Sequence, residues 1–429
     1  MRPGPDKSIG RVSFLARSDY HFAPFLYDMG VVIGIDASRA FGEERTGTEN
    51  YSYSLINSLI QLPETREHRW ILYTKPGQFE IKSLKFEIGR LENVKLVEVG
   101  LPRLWTQVGL AARTWIDGLD VLWVPAHTLP VLRKPGLPTV VTIHGLEYEF
   151  LPHYYGEWAR WHLTWSTEYA VASASRIIAV SQFTRDALIT RLGADPAKID
   201  VIHEGVLGID KFEIRNSKFE KNRNKTRKNE EKLVLRKHGV EKGKYLLFVG
   251  TVQPRKNLVR LIEAFCELNS KFEIRNSKLK SLKLIIAGKF GWDYEEILET
   301  PKKFGVEDDI VFTGYINDAE RYILLANALV YVQPSLTEGF GLPVLEAMQM
   351  GVPVASSTGG ALPEVVGDAA ETFDPLDVSQ MSEKLSKLIR DKTLMERLVE
   401  KGKKRAQEFA WEKAARETLS VLEKTAQGK

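Results

Sequence analysis

Two doubly wound α/β domains facing each other across a cleft are the architecture this sequence predicts. Short β-branched runs alternate with stretches of helical period along almost the whole chain. The strand runs are apolar throughout rather than alternating, the mark of a parallel sheet covered on both faces. The pattern also runs through twice in 429 residues, a length that suits two domains of roughly 200 residues each.

In the first half, strands are expected at 31–37 (VVIGIDA), 69–74 (RWILYT), 94–100 (VKLVEVG), 121–126 (VLWVPA), 138–144 (PTVVTIH), 176–181 (RIIAVS) and 198–205 (KIDVIHEG). Helices are expected between several of them, at 50–62, 106–119 and 157–174. The second half repeats the plan with strands at 245–251, 282–288, 309–314, 328–335 and 352–357, and helices at 258–268, 319–326 and 344–350. In such sheets ligands bind where loops leave the carboxyl ends of the strands, so the site belongs in strand-to-helix loops facing the cleft.

The domains divide as 29–208 and 231–411, with 209–230 an inserted linker loop. Residues 1–28 carry no signal-peptide pattern and read as a poorly ordered extension or as the result of an upstream start codon chosen in error, since Met29 stands just before the first convincing strand. The octapeptide KFEIRNSK occurs at 211–218 and again at 271–278. Nothing around the copies repeats with them, so they read as surface-loop inserts rather than solenoid units.

Sixty basic against 56 acidic side chains leave a net charge of only +4, which demands no nucleic-acid partner. The single cysteine, Cys266, excludes an internal disulfide, fits a reducing compartment and reads as a core residue. No apolar stretch approaches the ~20 residues that span a bilayer. These features favour a cytoplasmic location. The row Trp158, Trp161 and Trp165 lies on one helical face. Packing against the sheet is the expectation, with contact to a lipid-linked acceptor or a membrane surface as the alternative.

Two segments carry chemistry. In GTVQPRKN (250–257) a strand ends, Pro254 turns the chain, and Asn257 is placed to N-cap the next helix. Arg255 and Lys256 then join free backbone amides at a helix N-terminus, and guanidinium plus ammonium there suit a diphosphate. Taken alone, the pair would read as two solvated charges.

In LTEGFGLPVLEAMQMG (336–351), glycines precede a second helix with Pro343 as its first residue, Glu346 in its first turn and Gly351 as its C-cap. Glu338 and Glu346 stand at one end, where carboxylates accept hydrogen bonds from vicinal sugar hydroxyls. Glu346 reads equally well as a partner of the helix dipole. No Asp-x-Asp triplet occurs and no metal site is expected. No Gly-x-Gly-x-x-Gly turn follows a strand, which disfavours a dinucleotide dehydrogenase.

GTVQPRKN, AGKFGWDYEEI (287–297), FTGYIND (312–318), EGFGLPVLEA and GALPEVVGDAA (360–370), in that order, make the chain resemble the retaining glycosyltransferase family four, with mannosyltransferase-type texture. The resemblance covers roughly residues 30–420. It implies the GT-B fold, with 412–429 crossing back onto the amino domain. It further implies that Arg255 and Lys256 grip the donor diphosphate beside Gly250, that Glu346 binds the ribose and that Glu338 binds the transferred sugar. Backbone amides of Phe340, Gly341 and Leu342 would complete the cradle, and Tyr315 and Ile316 would lie near the base.

In TIHG (142–145), His144 would stand beside the reacting sugar. RTGTENY (45–51) departs from the family with one glycine where relatives have two or three, and there Gly47 and Thr48 would approach the phosphates. The implied reaction is metal-independent transfer of a hexose from a nucleotide sugar to a glycan or lipid-linked glycan. GDP-mannose is the favoured donor, the donor is a substrate and no cofactor is expected. A glycosyl phosphorylase or nucleotide-sugar epimerase, or a non-catalytic sugar-nucleotide subunit, is the alternative.

Overall fold

The computed structural model describes residues 30–42, 47–77, 91–101, 104–206, 223–271 and 282–428. Residues 1–28 and, apart from Lys271, both octapeptides lie outside them. The amino domain is one parallel sheet in the order β3-β2-β1-β4-β5-β6-β7. Its strands are β1 (Val32–Asp36), β2 (Arg69–Thr74), β3 (Val94–Glu98), β4 (Val121–Val124), β5 (Thr139–Ile143), β6 (Arg176–Ala179) and β7 (Ile199–Val201). Around it lie helices α1 (Gly47–Leu59), α2 (Ala111–Ile116), α3 (Glu147–Phe150), α4 (Glu157–Ser173) and α5 (Gln182–Leu192).

The carboxyl domain repeats the plan in the order β10-β9-β8-β11-β12-β13. The strands are β8 (Tyr245–Val249), β9 (Lys283–Ala287), β10 (Ile310–Gly314), β11 (Val330–Gln333), β12 (Val354–Ser357) and β13 (Glu371–Phe373). Its helices are α6 (Arg223–Lys237), α7 (Leu258–Lys271), α8 (Glu295–Phe304), α9 (Asp318–Asn327), α10 (Leu342–Gln349), α11 (Leu362–Val366), α12 (Val378–Arg390) and α13 (Lys392–Gln407). A final helix, α14 (Trp411–Ala426), crosses back and packs against α1 and the strands β4, β5 and β6.

All twelve expected strands form, and their apolar runs explain the burial: every residue of β5 and of β8 is buried. Strand order reverses between β1 and β4, and again between β8 and β11. At each reversal the flanking loops diverge and leave a crevice at the carboxyl ends. The two segments singled out from the sequence leave β8 and β11, the strands on either side of the second crevice.

Several expectations need correction. The short strand β13 was not anticipated, because three residues carry too little pattern. The helix expected at 106–119 is a π-helical turn, Trp105–Leu110, that continues into α2. The linker loop expected over 209–230 gives way to α6 from Arg223. That run contains neither proline nor glycine, so its charges ride on a helix whose Lys237 pairs with Glu320 of the carboxyl domain.

The tryptophan row does not pack on the sheet. Trp158, Trp161 and Trp165 are 77%, 56% and 44% exposed. The buried stripe of α4 is instead Ser166, Thr167, Ala170 and Val171, the last two of which join the amino-domain core. Cys266 is half-buried against the carboxyl core. No described helix is long and apolar enough to cross a membrane.

The chain crosses between domains at adjacent places. Val206 N donates to Phe409 O at 3.0 Å, and Val206 bridges Ala410. Gly205 lies so close that a Cβ would stand 2.2 Å from Trp411 N, so glycine is required there.

Candidate active site

Between the domains lies a cleft of about 310 Å³, at the lower end of the roughly 300–1,000 Å³ of small-ligand sites. Gly47, Thr48, His144, Gly250, Arg255, Lys256, Tyr315, Ile316, Glu338, Phe340, Gly341, Leu342 and Glu346 all line it. Every site residue expected from the sequence is therefore gathered in one place.

Arg255 and Lys256 leave β8 in a 3₁₀ turn opened by Pro254. Asn257 follows with φ 60°, and its carbonyl accepts the first α7 hydrogen bond from Leu261. Its side chain does not cap the helix as expected. The amide instead donates to the carbonyls of Pro334 (3.0 Å) and Pro375 (2.7 Å), which ties this turn to the loops after β11 and β13.

Across from the turn, buried Glu338 accepts from Lys256 Nζ (2.5 Å), Ser335 Oγ (2.6 Å) and Gln333 Nε2 (2.8 Å) through Oε1. Its Oε2 accepts from Arg255 at 3.1 Å. Burial alone would raise the Glu338 pKa, but Lys256 and Arg255 outweigh it and hold the carboxyl at about 2. Arg255 also reaches to 4.0 Å from Glu147 of the amino domain. Two cations are thus held by one close carboxylate, an arrangement that a polyanion can complete.

Glu346 lies in the second turn of α10, not the first, because the helix opens at Leu342 and Pro343 is its second residue. Its Oε1 pairs with Arg321 of α9 at 3.1 Å, while its buried Oε2 has no hydrogen-bond partner among the described residues. Burial raises the Glu346 pKa and Arg321 opposes the rise. A buried acceptor left without a donor is a costly arrangement that a protein seldom keeps without a reason. Gly351, with φ 72°, ends the helix as expected.

On the opposite wall, His144 follows β5. Its backbone N–H donates to His127 Nε2 at 3.0 Å, and its own Nε2 donates to Pro125 O at 3.1 Å. Burial, with His144 and Arg39 adding to it, pushes the His127 pKa down to about 3, so that ring is the neutral acceptor the hydrogen bond requires.

The two walls meet at Gly339. Its carbonyl accepts from Ser181 Oγ at 2.7 Å, and a Cβ there would stand 1.6 Å from His144 O. Nearby, Glu364 of α11 accepts from the backbone N–H groups of Gln182 (2.8 Å) and Phe183 (3.1 Å) at the start of α5, and from His203 at 2.7 Å. Burial would raise the Glu364 pKa, but these donors hold it below its ordinary value.

Glu147, Glu204, Arg321, Gln333, Ser335 and Glu364 are partners that the sequence reading missed. Glu204 is the middle residue of the HEG run at an expected strand end, and Arg321 lies three residues after FTGYIND, so both belong to or adjoin segments legible in the sequence. Glu364 sits within GALPEVVGDAA, but nothing local in that segment reveals that its partner is another domain.

Two doubly wound domains, with cations and carboxylates gathered at the reversal of strand order, define a GT-B enzyme. The model described as glycosyl transferases group 1 matches residues 227–405, and that for glycosyltransferase family 4 matches residues 45–206. O-antigen chain mannosyltransferase B of Escherichia coli is 32% identical over 282 residues, which cover 66% of this chain and 69% of that protein. MMP alpha-(1->4)-mannosyltransferase of Mycolicibacterium hassiacum is 40% identical over 126 residues, 28% of this chain and 31% of that one. The sucrose-phosphate synthase structure from Thermosynechococcus elongatus shares the fold, with TM-score 0.69 and 16% identity over 93% of this chain and 100% of the other. The chain belongs to glycosyltransferase family four and is a glycosyltransferase.

Proposed function

We propose that the chain transfers mannose from GDP-mannose, with retention and without a metal, to a glycan or lipid-linked glycan at the cytoplasmic face of a membrane. The Arg255–Lys256–Glu338 cluster carries this reading. Arg255 and Lys256 neutralise the departing diphosphate, a task otherwise left to a cation. Glu338 has four donors on its two oxygens and a pKa near 2, which makes it a poor attacking nucleophile. That favours attack of the acceptor oxygen from the face the diphosphate leaves, with a phosphate oxygen taking the acceptor proton. The relatives named as mannosyltransferases support the choice of sugar.

A thermal-shift panel of UDP-, GDP-, ADP- and dTDP-sugars tests the donor. GDP-mannose at a hundredfold excess over its Kd is expected to stabilise the wild type by roughly 2.7 kcal/mol, and Arg255→Ala to lose the shift. Orthophosphate stabilising the protein where no sugar nucleotide does would return the assignment to a phosphorylase.

Membrane contact is supported by the exposed tryptophans. Trp158 stacks on Trp161, and Trp165 on Tyr169. Tyr169 OH donates to Val131 O, and Trp115 Nε1 donates to Leu132 O, so the row runs on into exposed Leu132 and Trp115. Aromatic side chains of this kind settle at the headgroup level of a bilayer. The wild type is expected to co-sediment with phospholipid vesicles, and the double variant Trp158→Ser, Trp161→Ser to stay in the supernatant with its melting temperature unchanged. Equal sedimentation of the two would remove the membrane from the reading.

A further inference from the structure

The amino-domain wall holds a carboxylic acid that has no task in the proposed transfer reaction. Glu204 stands just beyond β7, is 6% exposed and lines the cleft. Its Oε1 lies 3.4 Å from His144 Nδ1. Its Oε2 makes no hydrogen bond among the described residues and is not one of the atoms sealed from solvent.

His144 itself has little left to offer a substrate. A carbonyl only accepts, so Nε2 must carry the proton it gives to Pro125 O. Nδ1 faces Glu204. The ring is clamped edge-on by Tyr51, at 4.5 Å between centroids, and stacked on His127 at 5.9 Å. With both nitrogens engaged and both sides packed, the ring cannot turn to present a free nitrogen without breaking these contacts. Of the two cluster residues that line the cleft, the free polar atom among the described residues is Glu204 Oε2.

We propose that Glu204 is the substrate-contacting carboxylate of the amino-domain wall, accepting a hydrogen bond through Oε2 from a hydroxyl of the transferred sugar. His144 is its positioning residue. This rests on the glycosyltransferase reading above and adds a second grip on the sugar, opposite Glu338. A buried carboxylate accepting from a hydroxyl makes a charge-assisted bond, stronger than one between neutral groups.

The groups that face Glu204 are His144 beyond β5, Tyr51 on α1 and Glu338 across the cleft, the last neutralised by Arg255 and Lys256. Burial raises the Glu204 pKa, His144 lowers it and Glu338 raises it. The accepting, ionised form is therefore lost as pH falls through a value above the ordinary one. Removing His144 takes away the lowering influence and moves that loss to higher pH.

The test measures release of nucleoside diphosphate from whichever sugar nucleotide stabilises the wild type in the panel, across pH. Glu204→Gln is expected to lower kcat/KM roughly 10- to 100-fold and to flatten the acid limb of the profile. His144→Leu is expected to keep part of the activity and to shift the acid limb to higher pH. Affinity for the free nucleoside diphosphate should stay within about threefold in both, since neither residue is among the proposed diphosphate and ribose contacts. Wild-type kcat/KM in Glu204→Gln, or an unshifted acid limb in His144→Leu, overturns the assignment. So does a Glu204→Gln protein that has also lost nucleoside diphosphate binding, because the change then acts through the fold. A wild type that turns over no sugar nucleotide sinks the transferase reading itself, a different outcome from any of these.

Discussion

Gly339→Ala is expected to reduce kcat/KM by at least about 100-fold while leaving both domains folded, because misplacement of reacting groups by an ångström is enough for a loss of that size. The added methyl would stand 1.6 Å from the carbonyl oxygen of His144, a backbone atom that cannot swing aside. The Gly339 carbonyl would also have to leave Ser181, whose hydroxyl donates to it across the cleft. Overpacking within a core usually costs about 1–3 kcal/mol, but here the clash lies between domains, so it can be relieved by holding the cleft open. Nucleoside diphosphate affinity, which the carboxyl domain is proposed to provide, should change little. Steady-state kinetics beside a nucleotide titration separates the two effects, and a fully active variant would show that this contact is dispensable.

Lys256→Met is expected to lower kcat by about 10²–10³, the loss seen when one preorganised charge-stabilising group is removed from a transition state. The same variant has a stability signature. The folded Glu338 pKa, about 2, lies below its ordinary 4.5. The stability it contributes is therefore present above pH 4.5 and is lost as pH falls toward 2. The difference amounts to something on the order of 3 kcal/mol. Without Lys256 the folded pKa rises and that contribution shrinks. Melting temperature against pH should then show a shallower acid dependence than the wild type. An acid dependence identical in both would mean that Arg255, Ser335 and Gln333 hold the carboxylate unaided.

The fold was legible because both sheets are buried on both faces. Continuous apolar runs such as YLLFV and TVVTI have few other readings, and their alternation with helices leaves little choice of topology. The donor side of the site was legible for a related reason: its residues lie on two short segments, each with its own turn chemistry. What failed is what depends on partners distant in sequence. Asn257 has the right residue type for an N-cap, yet Pro334 and Pro375 claim its amide. The tryptophans of α4 repeat as a core stripe would, and no local pattern says that the smaller Ala170 and Val171 are the residues that meet the sheet. Glu204 and Arg321 matter only because β7 and α9 bring them to the cleft opposite residues more than a hundred positions and some twenty-five positions away, respectively.

The pairing of Val206 with Phe409 and Ala410 places both passages of the chain between domains side by side. A hinge at that place would allow rotation more readily than sliding or separation, as the spine of a book does for its covers. Gly205, pressed against Trp411, sits at the binding edge. Motion at the fore-edge, where Gly339 meets His144 and Glu364 meets α5, is then a swing with a fixed return path. Each time the covers part, the same carbonyl and the same carboxylate must find the same donors again. Alignment of the cations on one cover with the sugar-facing wall of the other is thus inherited from the spine and need not be searched for anew in each turnover.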